Sequence, residues 1–236
     1  MENIFGKNAV REYLKREDPA GTLYIAREGR RQDTREIEAL AQEKGITIKR
    51  VPRQALDRRL PGVSHQGLLV TAEEQETRLR PDDWHAVLQA AVDSGEEPAV
   101  AVLDRIQDPQ NLGAIVRSAA LFGIRAVFIP NRNAASFTLV ARKAACGGEQ
   151  WVPVIEVANL SNLLEELKKM GFWIAAACMD GDKTLPELDT RGPFAVVMGS
   201  EGEGVKHLLQ ERCDWRVSIP TSGRLDSLNV SVASGL

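Results

Sequence analysis

Two adjacent stretches decide how this chain is read: "PAVAVLD" (98–104) and "DPQNLGAIVRSAALFG" (108–123). The first is an apolar run of strand length. The second begins with Asp, Pro, Gln and Asn and turns into a mostly apolar segment, a loop entering a helix. Leu112, Ile115, Val116, Ala119, Ala120 and Phe122 read as the core side of that helix. Arg117 stands among them. An arginine in such a place either snorkels to solvent along its aliphatic stem or is held there for chemistry, and the stretch alone leaves both readings open.

Working outward, the same strand–helix rhythm recurs. "AVAVLD", "AVFIP", "WVPVIEV", "FWIAAACM", "FAVVMG" and "WRVSIP" are strand candidates. Helical patterns lie between most of them, such as "NLSNLLEELKKMG" with Asn159 as N-cap. This alternation predicts an α/β domain built on a parallel sheet covered on both faces. Residues 1–72 form a separate, smaller α/β unit. "NAVREYLKR", "DTREIEALAQEKG" (ending at Gly45 as C′) and "RQALDRRLPG" are its helices; "TLYIA", "ITIKRV" and "GLLVTA" are its strands. The charged run in 73–80 reads as a linker, residues 81–236 as the second domain, and "PDDWHAVLQAAVDSG" as that domain's first helix.

Composition narrows the classes. The 236 residues, 43% hydrophobic, suit a globular protein with a real core. The N-terminal segment has no apolar h-region of a secretory signal, and no run of eighteen apolar residues would span a membrane. Cys146, Cys178 and Cys213 are scattered, as are His65, His85 and His207. No disulfide framework, zinc spacing or other metal site is expected, and the cysteine usage points to the cytoplasm. Net charge is −3, but it is unevenly divided: residues 1–72 hold 14 Lys and Arg against 10 Asp and Glu, while the remainder is acidic. A basic module that meets phosphate is one reading, and chance solvated faces are the other.

Three loops follow strands of the second domain, where α/β proteins place ligands. They are the opening stretch (108–123), "GSEGEGV" (199–205) and "IPTSGRLDSLNVSVASGL" (219–236). The glycine-rich loop is neither a P-loop nor a dinucleotide fingerprint, and Glu201 and Glu203 suit phosphate poorly. A turn requiring positive φ at Gly202 or Gly204 explains its glycines equally well. In the third loop Ser227, Asn229 and Ser231 alternate with apolar residues. They are expected to be buried and hydrogen-bonded, with Asn229 able to bridge two loops, or else Ser227 caps a helix beginning near Leu228.

Taken together and in order, "DRIQDPQNLGAIVRSAALFG", "FAVVMGSEGEGV" and "IPTSGRLDSLNVSVA" resemble the three motifs of the SpoU (TrmH-like) RNA ribose 2′-O-methyltransferases. "IFGKNAVREYL" and "SHQGLLVTA" resemble the two ends of the small N-terminal domain in the branch acting on a guanosine of 23S rRNA (RlmB-like), and "RKAACGGEQWVPV" resembles the family's small-residue helix end before a strand. Thr221 stands where the family usually has Met. The family's chains also continue beyond the position matching Leu236.

The resemblance implies a C-terminal parallel-sheet domain with a deep trefoil knot (SPOUT-type), an N-terminal α/β RNA-binding domain like a ribosomal protein, and a homodimer. It implies methyl transfer from S-adenosyl-L-methionine to a ribose 2′-hydroxyl, most naturally in 23S rRNA, with tRNA as the alternative. Gly199, Ile219 and Leu228 match the positions whose backbone holds the cofactor. Arg117, Asn111, Glu201, Ser227 and Asn229 match the catalytic set, with Glu201 orienting an arginine and Ser227 and Asn229 positioning Arg117. Arg27, Arg30, Arg31, Arg35, Lys49, Arg50 and Arg53 are candidates for meeting RNA phosphates, whereas His65 and Gln66 suit structural roles as well as RNA contact. Two rivals are a nicotinamide-dependent dehydrogenase, disfavoured by the misplaced glycines, and a non-catalytic RNA-binding assembly factor.

Overall fold

The computed structural model describes residues 2–28, 31–72, 83–224 and 227–236, with backbone only for Glu2 and residues 31–33. The stretch read as a linker, 73–80, lies outside the described residues, as do Arg30 and the side chain of Arg31. The described residues fall into two compact units: those up to 72 with Cys146–Gln150, and 83–145 with Trp151–Leu236.

The first unit runs β1 (Glu2–Phe5), α1 (Lys7–Leu14), β2 (Thr22–Ala26), α2 (Arg31–Glu43), β3 (Thr47–Val51), α3 (Arg53–Arg59) and β4 (Leu68–Ala72). Its sheet order is β1-β4-β2-β3, with β2 and β3 parallel and the other pairs antiparallel. Alternation along β2 sends Leu23 and Ile25 to one face, where they pack with Val10, Leu14 and Ile37. Tyr24 and Ala26 go to the other, with Leu56 of α3 and Leu60 at its C-cap. Gly45 closes α2 at φ 69°, as a C′ glycine should. "ENIF" has no alternating pattern, so β1 was not expected; its order comes from pairing with β4, Ile4 opposite Val70.

His65 is fully buried and structural. Its Nε2 lies 2.8 Å from Asp57 Oδ1, and its Nδ1 accepts from the Gly67 amide at 3.0 Å. Gln66 sits at φ 53° and accepts from the Lys7 amide at 2.9 Å.

The second unit runs α4 (Trp84–Asp93), β5 (Ala99–Leu103), α5 (Pro109–Leu121), β6 (Ala126–Pro130), α6 (Leu139–Ala145), β7 (Val154–Val157), α7 (Leu160–Lys169), β8 (Trp173–Ala177), β9 (Lys183–Thr184), β10 (Phe194–Met198), α8 (His207–Gln210), β11 (Trp215–Ser218) and α9 (Val230–Ala233). All six expected strands form. With the two-residue β9 they make a seven-stranded sheet, β7-β6-β5-β10-β8-β11-β9, parallel at every pairing. Alternation again divides the core. Val100, Val102, Ala195 and Val197 pack under α4 and α7. Ala101, Leu103, Val127 and Met198 pack under α5, α6 and α9. Asn159 caps α7, accepting from the amides of Ser161 (2.8 Å) and Asn162 (3.2 Å).

Two expectations fail. Phe122 is not core: it lies at the C-cap of α5 and is 67% exposed, with Leu121 77% exposed beside it. The chain turns away at Gly123 (φ 72°), so both side chains leave the sheet. Nor does Ser227 cap a helix. Asn229 does, and α9 begins at Val230; Ser227 and Asn229 are exposed rather than buried, while Val230 and Ala233 of α9 are the ones that pack against the core.

Gly113 sets how closely α5 and α6 approach. A Cβ there would lie 2.1 Å from the Ala141 carbonyl oxygen and 2.6 Å from the Ala144 Cβ. Gly113→Ala is therefore expected to destabilise the protein by about 1–3 kcal/mol through overpacking, read as a lower urea midpoint. An unchanged midpoint would mean that the two helices separate at little cost.

Candidate active site

The loops after β5, β10, β8 and β11 all leave the C-terminal edge of the parallel sheet, and these four strands are neighbours in that order. Residues far apart in sequence therefore meet. Asp108 opens α5: its side chain accepts from the Gln110 amide at 2.8 Å, and Pro109, which has no amide hydrogen to leave unpaired, takes the first helical position. Asn111 follows within the first turn. Its Nδ2 donates to Glu201 Oε1 at 3.0 Å. Asn229 Nδ2 donates to the same oxygen at 2.7 Å and to Asn111 Oδ1 at 3.1 Å. Asn229 Oδ1 meanwhile caps α9, accepting from the Ser231 amide at 2.9 Å. One asparagine thus bridges loops and starts a helix, using donor and acceptor ends at once.

The glycine-rich loop folds back on itself. Gly204 N donates to the Ser200 carbonyl at 2.9 Å, with Gly202 at φ 98° and Gly204 at φ 63°. A Cβ on Gly199 would lie 1.9 Å from the Gly204 carbonyl carbon and 2.1 Å from Val205 N, so only glycine fits.

Sequence reading missed the residues that pin this loop. Asp104 is buried; its amide donates to the Met198 carbonyl at 2.7 Å, and its Oδ2 accepts from the Lys206 amide at 2.9 Å. Arg105 sits at φ 57°, a conformation costly for a residue with a Cβ. From there it pairs with Glu203 and lies 3.3 Å from Asp104. These partners, after the desolvation that opposes them, raise the guanidinium's pKa further. An aspartate directly after an apolar strand was the available signal.

A cavity of about 300 Å³ opens between these loops. Gly199, Ile219 and Leu228 line it, together with Glu201, Ser227 and Thr221. Among the described residues its lining includes carboxylates from Asp180, Glu201 and Glu203 but no Lys, Arg or His. That suits a neutral or positively charged ligand rather than a dinucleotide pyrophosphate. Cys178 also lines it, its thiol pushed up by burial and then by Asp180, which keeps it from acting as a thiolate nucleophile. Cys213 is pushed up to about 12, chiefly by burial.

Arg117 stands six residues beyond Asn111 on α5, exposed, about 9 Å further along the axis and about a third of a turn round the helix. Among the described residues no hydrogen bond joins it to Asn111, Glu201 or Asn229. Glu201 holds two carboxamides; the arginine held by its loop is Arg105, through Glu203.

Arg105→Asn tolerates the left-handed backbone but removes the guanidinium. Amide exchange at Lys206 is expected to rise on the order of tenfold, since its carboxylate acceptor loses a partner. Unchanged exchange would show that Asp104 holds the loop alone.

The SpoU rRNA methylase profile matches residues 98–236, and the profile for the RNA 2′-O ribose methyltransferase substrate-binding domain matches 3–78. The whole chain is 43% identical to an uncharacterized tRNA/rRNA methyltransferase of Mycobacterium sp. (strain KMS), covering 74% of that protein. It is 38% identical to the 23S rRNA (guanosine-2′-O-)-methyltransferase RlmB of Pasteurella multocida, covering 95% of it. The fold is that of the SpoU methyltransferase AviRb of Streptomyces viridochromogenes, solved with AdoMet. The TM-score is 0.75 over 99% of this chain and 86% of that one, at 18% identity. With both profiles in order along the chain and relatives matched across its whole length, the chain belongs to the SpoU rRNA methylase family.

Proposed function

We propose that this protein transfers a methyl group from S-adenosyl-L-methionine to a ribose 2′-hydroxyl of RNA, its substrate a guanosine of 23S rRNA. The observation that carries the reading is the meeting of the loops after β8, β10 and β11 around one cavity whose lining, among the described residues, holds carboxylates and no Lys, Arg or His. S-adenosylmethionine is a nucleoside bearing a sulfonium, an ammonium and a carboxylate, net positive, and a lining of carboxylates and backbone groups suits it. Gly199, Ile219 and Leu228 would hold its adenosine through their main chain. Bound there, it supplies an electrophilic methyl on a positively charged sulfur.

The chain's own residues orient the other reactant. An in-line displacement needs the 2′-oxygen about 3 Å from the methyl carbon. The Asn111–Glu201–Asn229 cluster fixes the cavity wall facing that approach, and Ser227 flanks it. Arg117, exposed on α5, binds the RNA phosphate and stabilises the alkoxide that develops as the hydroxyl loses its proton to solvent water. Guanidinium keeps its own proton near neutral pH, so electrostatic stabilisation suits it better than general-base work.

Two further features belong to this reading. The C-terminal domain carries a deep trefoil knot, supported by the return of α9 from β11 to pack against α5. The protein is a homodimer, supported by exposed Leu121, Phe122, Val232 and Leu236, with Phe122 and Leu236 lining an apolar groove.

Arg117→Ala is expected to lower methyl transfer by about 10²–10³-fold while calorimetric affinity for S-adenosylmethionine stays near wild type. Arg117→Lys should also be poor, since an ammonium lacks the planar fork. Near-normal turnover of Arg117→Ala at saturating RNA would move the role to Glu201 or Asn229. Failure of the wild-type protein to bind S-adenosylmethionine would overturn the enzyme reading. Light scattering at micromolar concentration should give twice the chain mass, and a monomer would remove the dimer.

A further inference from the structure

The seven basic candidates read from the sequence of the first unit do not share one environment. Arg50 is ion-paired with Glu38 at 2.7 Å, and Arg27 Nε donates to the Arg50 carbonyl. On the α1/α2 side Arg11 grips Glu36 through two contacts, 2.9 and 3.0 Å, and Lys15 pairs with Glu12. Cations already neutralised release few counterions to RNA.

The α3 side differs. Lys49 on β3 and Arg53, Arg58 and Arg59 on α3 are exposed, and among the described residues none is ion-paired to a carboxylate. The nearby acids are engaged elsewhere: Asp57 with buried His65, and Glu28 with the Arg53 amide at 2.8 Å. Tyr24 on β2 is directly opposite Lys49 in the parallel register, so both project to this face. The Arg59 guanidinium lies over the Tyr24 ring, 4.3 Å from its centroid. Tyr24 is half-buried and Arg59 exposed. The ring thus backs a flat cation that is open to solvent.

We propose that this α3/β3 face is where the N-terminal unit grips an unpaired segment of RNA. Lys49, Arg53 and Arg58 take successive phosphates, and one base stacks on the Arg59 guanidinium with Tyr24 behind it. Unpaired bases are free to stack on arginine planes, whereas paired ones are already stacked in the helix. The inference rests on the RNA reading above but names a surface that reading leaves open.

The test uses the full chain with a fluorescent unpaired 12-nucleotide RNA and a duplex of equal length. The variant Lys49→Gln/Arg53→Gln/Arg58→Gln should bind the unpaired RNA at least tenfold more weakly, with the log–log salt slope smaller by about 2 for three lost phosphate contacts. Arg59→Lys keeps the charge and removes the plane; it should lose the preference for unpaired over duplex RNA while duplex affinity stays unchanged. Arg50→Gln, on an already paired cation, should change neither. Circular dichroism and S-adenosylmethionine affinity should match wild type throughout. If the triple variant binds as wild type, or Arg50→Gln loses as much, this face is not the grip. If Arg59→Lys keeps the preference, no base stacks there. Wild-type protein that binds the RNA through this face yet methylates no RNA would leave the surface standing and remove the enzymatic reading.

Discussion

A single carboxylate oxygen ties together the loops at the C-terminal edge of the second sheet. Glu201 Oε1 receives side-chain amides from Asn111 and Asn229, which lie 90 and 28 positions away in sequence. Each belongs to a different loop, and each loop is the continuation of a strand or the start of a helix. A hydrogen bond to a charged acceptor is stronger than one between neutral groups, and sharing one acceptor forces the two amides to within contact of each other. Were Glu201 elsewhere, Asn229 and Asn111 would still be joined to each other, but neither would be tied through a side chain to the glycine-rich loop.

The glycine-rich loop can place Glu201 because it is clamped at its other end. Buried Asp104 holds the Lys206 amide, and Arg105 spans from Asp104 to Glu203. The strained backbone of Arg105 is the local cost of aiming its side chain across the gap. Gly199 then lets the returning chain pass where any side chain would collide. A loop with two glutamates is a poor phosphate cradle but a good wall for a ligand carrying positive charge.

The sheet was legible because its residues obey a simple rule: strands buried on both faces read as short apolar runs between helical patterns. All six such runs are strands. The three loops were legible as a set because Asn, Glu and Asn recur in family order, and those three residues do meet. What the sequence hid was hidden for physical reasons. β1 and β9 exist through their partners rather than their own pattern. Phe122 looked like core because periodicity does not say where a helix stops. Asn229 displaced Ser227 as the cap because its amide can serve cap and bridge together. Arg105 gave no signal, since a positive φ at a residue with a Cβ is imposed by tertiary contacts. The split among basic residues between paired and open was invisible, since ion pairs form across elements.

The strand order also sets when the site can come into being during synthesis. The first unit's four-stranded sheet is complete once β4 has emerged, at Ala72. The second has no such early closure. Central β5 must wait for β10, which pairs with it from 95 positions later in the chain, Ala99 with Phe194. The site waits longer still, for Asn229 beyond β11. Nonlocal parallel pairing of this kind slows folding. During synthesis β5, β6 and β7 can pair in turn, but the first unit still awaits Cys146–Gln150, and the sheet stays open at β5 until β10 has emerged.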